Sequence, residues 1–149
     1  MKRYIIFICA VFSCAILCSF SLCCYFLSPK GEVNNVVLDY GTSVKFSEAE
    51  IDAAMKVAIG KARGYEDCEL TKLWYDEEES DAKIEDVLSY SQYSDIEEGN
   101  VIILFAELKT GNKPGGFPKN TIVEGWGWIL VRENKTAEWK TDDGVWLIY

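Results

Sequence analysis

The stretch that decides the fold, residues 46–64, reads FSEAEIDAAMKVAIGKARG. Ser47 and Glu50 have the spacing of a capping box, in which each side chain accepts a hydrogen bond from the other residue's backbone amide. Apolar residues then recur at three- and four-residue steps, and Gly64 is a typical helix stop. The pattern predicts one amphipathic helix from about Ser47 to Arg63.

Extended segments follow the predicted helix. Alternating or continuous apolar runs predict strands at 70–75, 101–105 and 122–131, and a further strand around Trp139. Glycine and proline residues between 110 and 118 indicate a loop. Because the connections are short, consecutive strands are expected to pair antiparallel. The sequence therefore predicts an α+β fold in which one main helix packs on an antiparallel sheet of about four strands.

An uncharged segment, residues 4–27, precedes this domain and follows Lys2 and Arg3. As a helix its 24 residues span about 36 Å, more than the ~30 Å hydrocarbon core of a bilayer. Residues 1–30 carry a charge of +3, so the remainder carries −9 minus 3, which is −12. The positive-inside rule then predicts a single-pass cell-membrane protein with an extracytoplasmic C-terminal domain.

Two other processing routes fit the same segment. Residues 19–21, Ser-Phe-Ser, resemble a cleavage site, which makes the segment a signal peptide. Residues 11–14, Val-Phe-Ser-Cys, resemble a weak lipid-attachment motif. In all three cases the domain is exported. The chain is therefore divided into an anchor or signal segment at 1–30, a tether at 31–45 and an extracytoplasmic domain at 46–149.

The composition excludes several functional classes. The 149 residues include no histidine, which excludes Ser-His-Asp triads, Cys-His nucleophile pairs and histidine-ligated zinc. The net charge of −9 argues against a nucleic-acid partner, since a nucleic-acid backbone needs clustered lysine and arginine. Cys68 is the single cysteine after residue 24, so the domain closes no internal disulfide and its thiol is expected to be buried.

No motif predicts a metal or a cofactor. The acidic run 76–81 lacks the ligand spacing of a calcium loop, so we interpret it as a solvated, charged turn before a short helix. The glycines around Lys113 lack the order of a phosphate-binding loop. We therefore predict that the protein uses no cofactor and no metal and is not an enzyme.

The tryptophans are the candidate binding residues. Strand alternation places Trp126 and Trp128 on one face, with the glycines between them on the other. The glycine face is expected to accept the helix, which leaves the indoles on the opposite face, where Trp139 or Trp146 joins them. Such a patch stacks on sugar rings of a cell-wall glycan or receives a partner protein. The competing interpretation is that the sheet is covered on both faces and that the tryptophans are core.

Three blocks of sequence resemble a known family. Together with the capped helix, these blocks are similar to an uncharacterised family of small exported proteins of Gram-positive bacteria. The blocks are residues 68–78 (CELTKLWYDEE), residues 125–132 (GWGWILVR) and the Trp-Lys pair at 139–140. Members of the family are lipoproteins or anchored proteins with a domain of unknown function, and the resemblance covers residues 46–149. The order of elements is similar to cystatin-like and nuclear-transport-factor-like folds, which implies a curved sheet around the helix. The inhibitory loop of cystatins is absent, and residues 141–144 lengthen the last strand region relative to the family.

The sequence thus predicts a membrane-anchored, exported, non-catalytic domain that binds a cell-envelope ligand or a partner protein. The alternative is a carboxylate-dependent hydrolase acting on cell-wall glycan, as glycosidases do with two acidic side chains. Asp76, Glu107 and Glu124 are the available acids, although no paired motif singles them out. Two carboxylates roughly 5 to 9.5 Å apart in a cleft beside the tryptophans distinguish the enzyme from the binding domain.

Overall fold

The computed structural model describes residues 31–89 and 96–141. Within them the chain forms two α-helices and one five-stranded mixed sheet, which confirms the α+β class. In chain order the elements are β1 (Val37–Asp39), α1 (Glu48–Ala62), β2 (Cys68–Trp74), α2 (Glu77–Leu88), a 3₁₀ turn (Glu98–Asn100), β3 (Val101–Thr110), β4 (Ile122–Val131) and β5 (Lys140–Thr141).

The strand order in the sheet follows the chain, from β1 at one edge to β5. Strands β2 to β5 pair antiparallel, as expected, whereas β1 adds a fifth strand that runs parallel to β2. Helix α1 packs on one face of the sheet and α2 on the other. No helix in the described part of the chain is long and apolar enough to cross a membrane, and the predicted anchor at 1–30 lies outside the described residues.

Helix α1 is capped as its sequence predicts. The backbone N–H of Ser47 donates to the Glu50 carboxylate (2.9 Å), and the N–H of Glu50 donates to the Ser47 hydroxyl (3.4 Å). The buried stripe of the helix includes Ile51 and Met55 and otherwise consists of alanines, so the helix approaches the sheet closely. The helix ends at Ala62, as the predicted bounds require.

Helix α2 begins inside the acidic run 76–81, so the interpretation of this run as a turn is wrong. The Asp76 carboxylate accepts a hydrogen bond from the backbone N–H of Glu79 (2.8 Å) and caps the helix. Three consecutive glutamates, beginning at Glu77, form the first turn, where the helix dipole stabilises negative charge. Ile84 and Val87 of α2 cover the second face of the sheet.

Residues 31–45, which we expected to form a tether, pack on the domain. The backbone N–H of Gly31 donates to the carbonyl oxygen of Arg63 (3.0 Å), and β1 extends the sheet. Val33 and Val36 are half-buried against the core under α1. The glycine and asparagine residues of this segment are compatible with an edge strand and its turns. The folded domain therefore includes this segment.

A β-bulge in β4 changes which side chains face α1. Ala106 of β3 lies opposite Trp126, but Leu108, two residues further along β3, lies opposite Val123. Strand β4 therefore holds one extra residue in this interval, and Gly125 within it has a φ of +69°. As a result Val123 and Trp126, three residues apart, both contribute to the core under α1.

Candidate functional site: an aromatic cleft

The structure buries the tryptophans that we selected as binding residues. Trp126, Trp128 and Trp139 are 6%, 3% and 5% exposed and pack in the core under α1. The prediction that Trp126 and Trp128 face away from the helix is wrong, and the core interpretation is confirmed for these three residues. The alanine stripe of α1 provides the room for the large indoles. Trp146 lies outside the described residues.

Gly127 of β4 lies beside an aromatic ring on the other face of the sheet. Gly127 is the cross-strand neighbour of Phe105, which belongs to the core under α2. The Phe105 ring stacks on Trp74 of β2, with ring centroids 6.0 Å apart. Gly127 therefore leaves room for the Phe105 ring on the face that α2 covers, just as the alanines of α1 leave room for large rings on the opposite face.

The indole of Trp126 also lines a cleft that opens to solvent. The cleft has a volume of about 640 Å³ and lies between the C-terminal end of α1 and the loop that joins β3 to β4. Residues 64–66 form one wall, residues 114–118 form the other, and Val123 and Trp126 form the floor. The bulge at Gly125 is what places both floor residues on the same face of the sheet.

Aromatic contacts fix the geometry of the cleft walls. The Phe117 ring packs edge-on against Trp126 (centroids 4.7 Å apart) and lies 5.2 Å from the ring of Tyr65. The Tyr65 ring stacks on Trp128 at 6.0 Å, and the indole N–H of Trp128 donates to the Tyr65 hydroxyl (3.0 Å). Since Trp128 is held in the core, the exposed edge of Tyr65 is oriented before any ligand binds.

Asp67 ties the two walls of the cleft together. Its carboxylate accepts a hydrogen bond from the backbone N–H of Lys113 (2.6 Å), and its carbonyl oxygen accepts one from Gly111 (2.8 Å). A Cβ atom at Gly111 would lie 2.3 Å from the Asp67 carboxylate, so this contact requires glycine or a shift of Asp67. The backbone N–H of Asn120 donates to the Gly111 carbonyl oxygen (2.8 Å) and closes the loop. The loop is therefore attached to the connection between α1 and β2.

The rim of the cleft carries exposed charges of both signs. Lys113 and Lys119 flank the loop wall, and Arg63 precedes the other wall. Glu66 lines the cleft, and Asp67 follows it in the chain. Exposed lysines thus flank the loop wall on both sides, although residues 31–149 carry a net charge of −12 (−9 minus +3).

Trp139 has a different role, at the beginning of α1. The buried Arg132 guanidinium donates to the Glu50 carboxylate (2.8 Å) and lies 4.3 Å from the Trp139 ring, whose N–H donates to the Glu50 carbonyl (3.1 Å). The hydrogen bond from the Ser47 backbone, followed by that from Arg132, lowers the pKa of Glu50 to about 2. Trp139 therefore locks the cap of α1 to the end of the sheet and does not join the cleft. Our sequence reasoning missed Arg132, which directly follows a buried strand.

The three acids of the hydrolase hypothesis lie on three different elements. Asp76 caps α2, Glu107 lies opposite Lys72 in the sheet, and Glu124 is exposed on β4. None of these three lines the aromatic cleft. Across residues 31–89 and 96–141, no three His, Cys, Asp or Glu side chains cluster as metal ligands.

Cys68 is buried at the start of β2, as the sequence predicts. Its thiol donates to the carbonyl oxygen of Glu66 (3.4 Å). Burial, together with the negative charge of Asp67, raises the pKa of the thiol above its ordinary value. The folded protein therefore holds this cysteine in its unreactive, protonated form.

Two of the blocks that resemble the exported family fall in the core. Residues 68–78 form β2 and the start of α2, and residues 125–132 form most of β4 and continue into Arg132. Packing therefore accounts for these blocks, and the family itself stays a prediction. No protein-family model, no curated protein and no solved structure gives a significant match to the chain.

Proposed function

We propose that the protein is a membrane-anchored, exported, non-catalytic domain that binds a component of the cell envelope in the aromatic cleft. The observation that carries this proposal is an open apolar cleft whose walls, Tyr65 and Phe117, are oriented by Trp128 and Trp126. Ligand sites are typically concave and largely apolar, with few polar groups and preformed walls. A preformed wall also reduces the ordering that binding requires.

The lining of the cleft favours binding over catalysis. Its titratable side chains are those of Tyr65 and Glu66 alone. Hydrolysis of a glycan by carboxylates requires two acids roughly 5 to 9.5 Å apart, and the cleft lining has one. The other lining residues are glycine, proline and apolar side chains, which provide neither a nucleophile nor a second acid.

Two further features belong to the proposal. The uncharged span 4–27, with Lys2 and Arg3 before it, supports a retained anchor and an extracytoplasmic domain. One main helix lying across the antiparallel strands β2 to β5 supports the cystatin-like arrangement. Helix α2 and the parallel strand β1 are additions to that arrangement.

The binding site is tested with residues 31–149, which contain every contact described above. The fluorescent probe N-phenyl-1-naphthylamine should bind the cleft, and Phe117→Ala should weaken binding on the order of tenfold because it removes the aromatic ring from one wall. Val44→Ala is the matched control, since Val44 is an apolar residue that is 95% exposed before the other end of α1. Lipid and glycan fractions of the envelope are then tested as competitors. Equal affinity in wild type and Phe117→Ala, or no competition by either fraction, contradicts the proposal.

The anchor is tested in cells that express the full chain. The membrane fraction should contain a protein with the mass of the whole sequence, and protease added outside intact cells should remove the domain. Cys14→Ser should leave the membrane fraction unchanged, because apolar length and not an acyl chain holds the protein. A mature protein that begins at Cys14 or near Leu22 refutes the retained anchor.

A further inference from the structure

The chain joins the folded domain directly beside the aromatic cleft. Gly31 is buried, and its backbone N–H donates to the carbonyl oxygen of Arg63, the residue before the cleft wall. A Cβ atom at position 31 would lie 2.8 Å from the carbonyl oxygen of Tyr65. The first described residue therefore packs on the backbone of the same wall that presents the Tyr65 ring to the cleft.

Little chain separates this point from the predicted membrane span. The span ends at Leu27, and the four steps from Leu27 to Gly31 cover at most about 14 Å when fully extended. The longer tether that we expected from the sequence does not exist, because residues 31–45 pack on the domain. A retained anchor thus holds the cleft end of the domain close to the bilayer surface.

The loop wall has the composition of a segment that lies at a membrane interface. Residues 113–119 read KPGGFPK, with the half-buried Phe117 between two exposed lysines. Aromatic rings favour the interfacial region of a bilayer, and lysines near its surface are attracted to anionic lipids. The Phe117 ring and its flanking lysines therefore favour contact between the cleft end and the bilayer.

We infer that the aromatic cleft docks on the bilayer that holds the anchor and takes up part of an anionic phospholipid. An acyl segment lies between Tyr65 and Phe117, and Lys113 and Lys119 contact the phosphates. This inference rests on the proposed anchor and specifies lipid as the envelope component. A bound lipid replaces solvent at the apolar walls, which is the source of the binding energy.

The test uses the full chain reconstituted in vesicles of phosphatidylcholine and phosphatidylglycerol. The photo-crosslinking residue p-benzoylphenylalanine is placed at position 117 and, as the matched control, at position 44. After irradiation, mass spectrometry should find lipid adducts several times more often at position 117. Replacing both Lys113 and Lys119 by glutamine should reduce the adducts at 117 in these vesicles.

A second measurement needs no variant, in case the larger side chain disturbs the loop. Amide hydrogen exchange of residues 111–120 in the unmodified chain should be slower in vesicles with phosphatidylglycerol than in phosphatidylcholine alone. Equal numbers of lipid adducts at positions 117 and 44 would overturn the inference without affecting the proposed anchor. The same holds if the exchange rate of residues 111–120 is equal in the two kinds of vesicle. If the full chain does not stay bound to the vesicles through its first segment, the proposed anchor and the inference both fail.

Discussion

Replacing Glu50 by glutamine should destabilise the domain by removing the negative charge that pairs with the buried Arg132. The Arg132 side chain is 2% exposed, and its nitrogen lies 2.8 Å from the Glu50 carboxylate. Removing one partner of a buried ion pair costs about 3 to 5 kcal/mol, because the other charge stays buried without compensation. The Glu50 side chain is 30% exposed and glutamine still accepts hydrogen bonds, so we expect a loss of about 2 to 3 kcal/mol.

The Glu50 carboxylate also makes the free energy of unfolding depend on pH. The pKa of Glu50 falls from 4.5 to about 2 on folding, so its contribution is fully present above pH 4.5 and is lost as the pH falls toward 2. The difference corresponds to about 3 kcal/mol, which solvent screening of the partly exposed group reduces to about 2 kcal/mol. In Glu50→Gln this part of the acid dependence should disappear, because glutamine does not titrate.

Urea unfolding of residues 31–149, followed by tryptophan fluorescence from pH 7 to pH 2.5, measures both effects. Glu48→Gln is the matched control, because Glu48 is an exposed carboxylate in the same first turn. It should cost only about 0.3 to 1 kcal/mol through the helix dipole. A Glu50→Gln variant that is no less stable than Glu48→Gln, or that keeps the acid dependence of the wild type, would refute the reasoning.

Three other predictions follow from the cleft and its surroundings. Gly125→Ala should cost about 1 to 2 kcal/mol, because the positive φ of the bulge strains a side chain, and urea unfolding measures the loss. Asp67→Ala should release the backbone of Lys113 and speed amide exchange in residues 111–120, whereas Asp67→Asn, which keeps an acceptor oxygen, should not. Cys68 should react with a thiol reagent slowly in the folded domain and quickly in urea, because burial raises its pKa; equal rates would contradict the burial.

Local patterns predicted helix α1 well because its signals act within a few residues. The Ser47–Glu50 cap and the stop near Gly64 depend on neighbours in the chain, and both ends of the helix agree with the structure. The acidic run at 76–81 was misassigned because a cluster of carboxylates fits a solvated turn and a helix N-terminus equally well. Deciding between them requires the tertiary packing of Ile84 and Val87 behind the run.

The face of a strand is harder to predict than the strand itself. Alternation grouped Trp126 with Trp128 correctly, but it does not tell which face a helix covers, and both faces are covered here. The bulge at Gly125 also breaks the alternation, so Val123 joins the tryptophan face against the simple pattern. The available signal for the bulge was Gly125 itself, since isolated glycines in strands often mark bulges.

The cleft was beyond sequence reasoning because its parts come from distant positions. Tyr65 follows α1, whereas Phe117 lies in a loop between two later strands. The pairing of β2 with β3 and the hydrogen bonds from Gly111 and Lys113 to Asp67 bring those two segments together. The available signal was an aromatic residue within a run of glycines and prolines, where no strand or helix needs a large side chain.

The hydrogen bond from Trp128 to Tyr65 gives the domain a built-in optical reporter. The indole donates to the hydroxyl of the ring that walls the cleft, so any occupant that tilts this ring changes the partner of a core tryptophan. The emission of a tryptophan depends on the polarity and hydrogen bonding around its N–H. Occupancy of the cleft is therefore readable from intrinsic fluorescence, and Tyr65→Phe, which keeps the ring but lacks the acceptor, should remove the part of the signal that comes from Trp128.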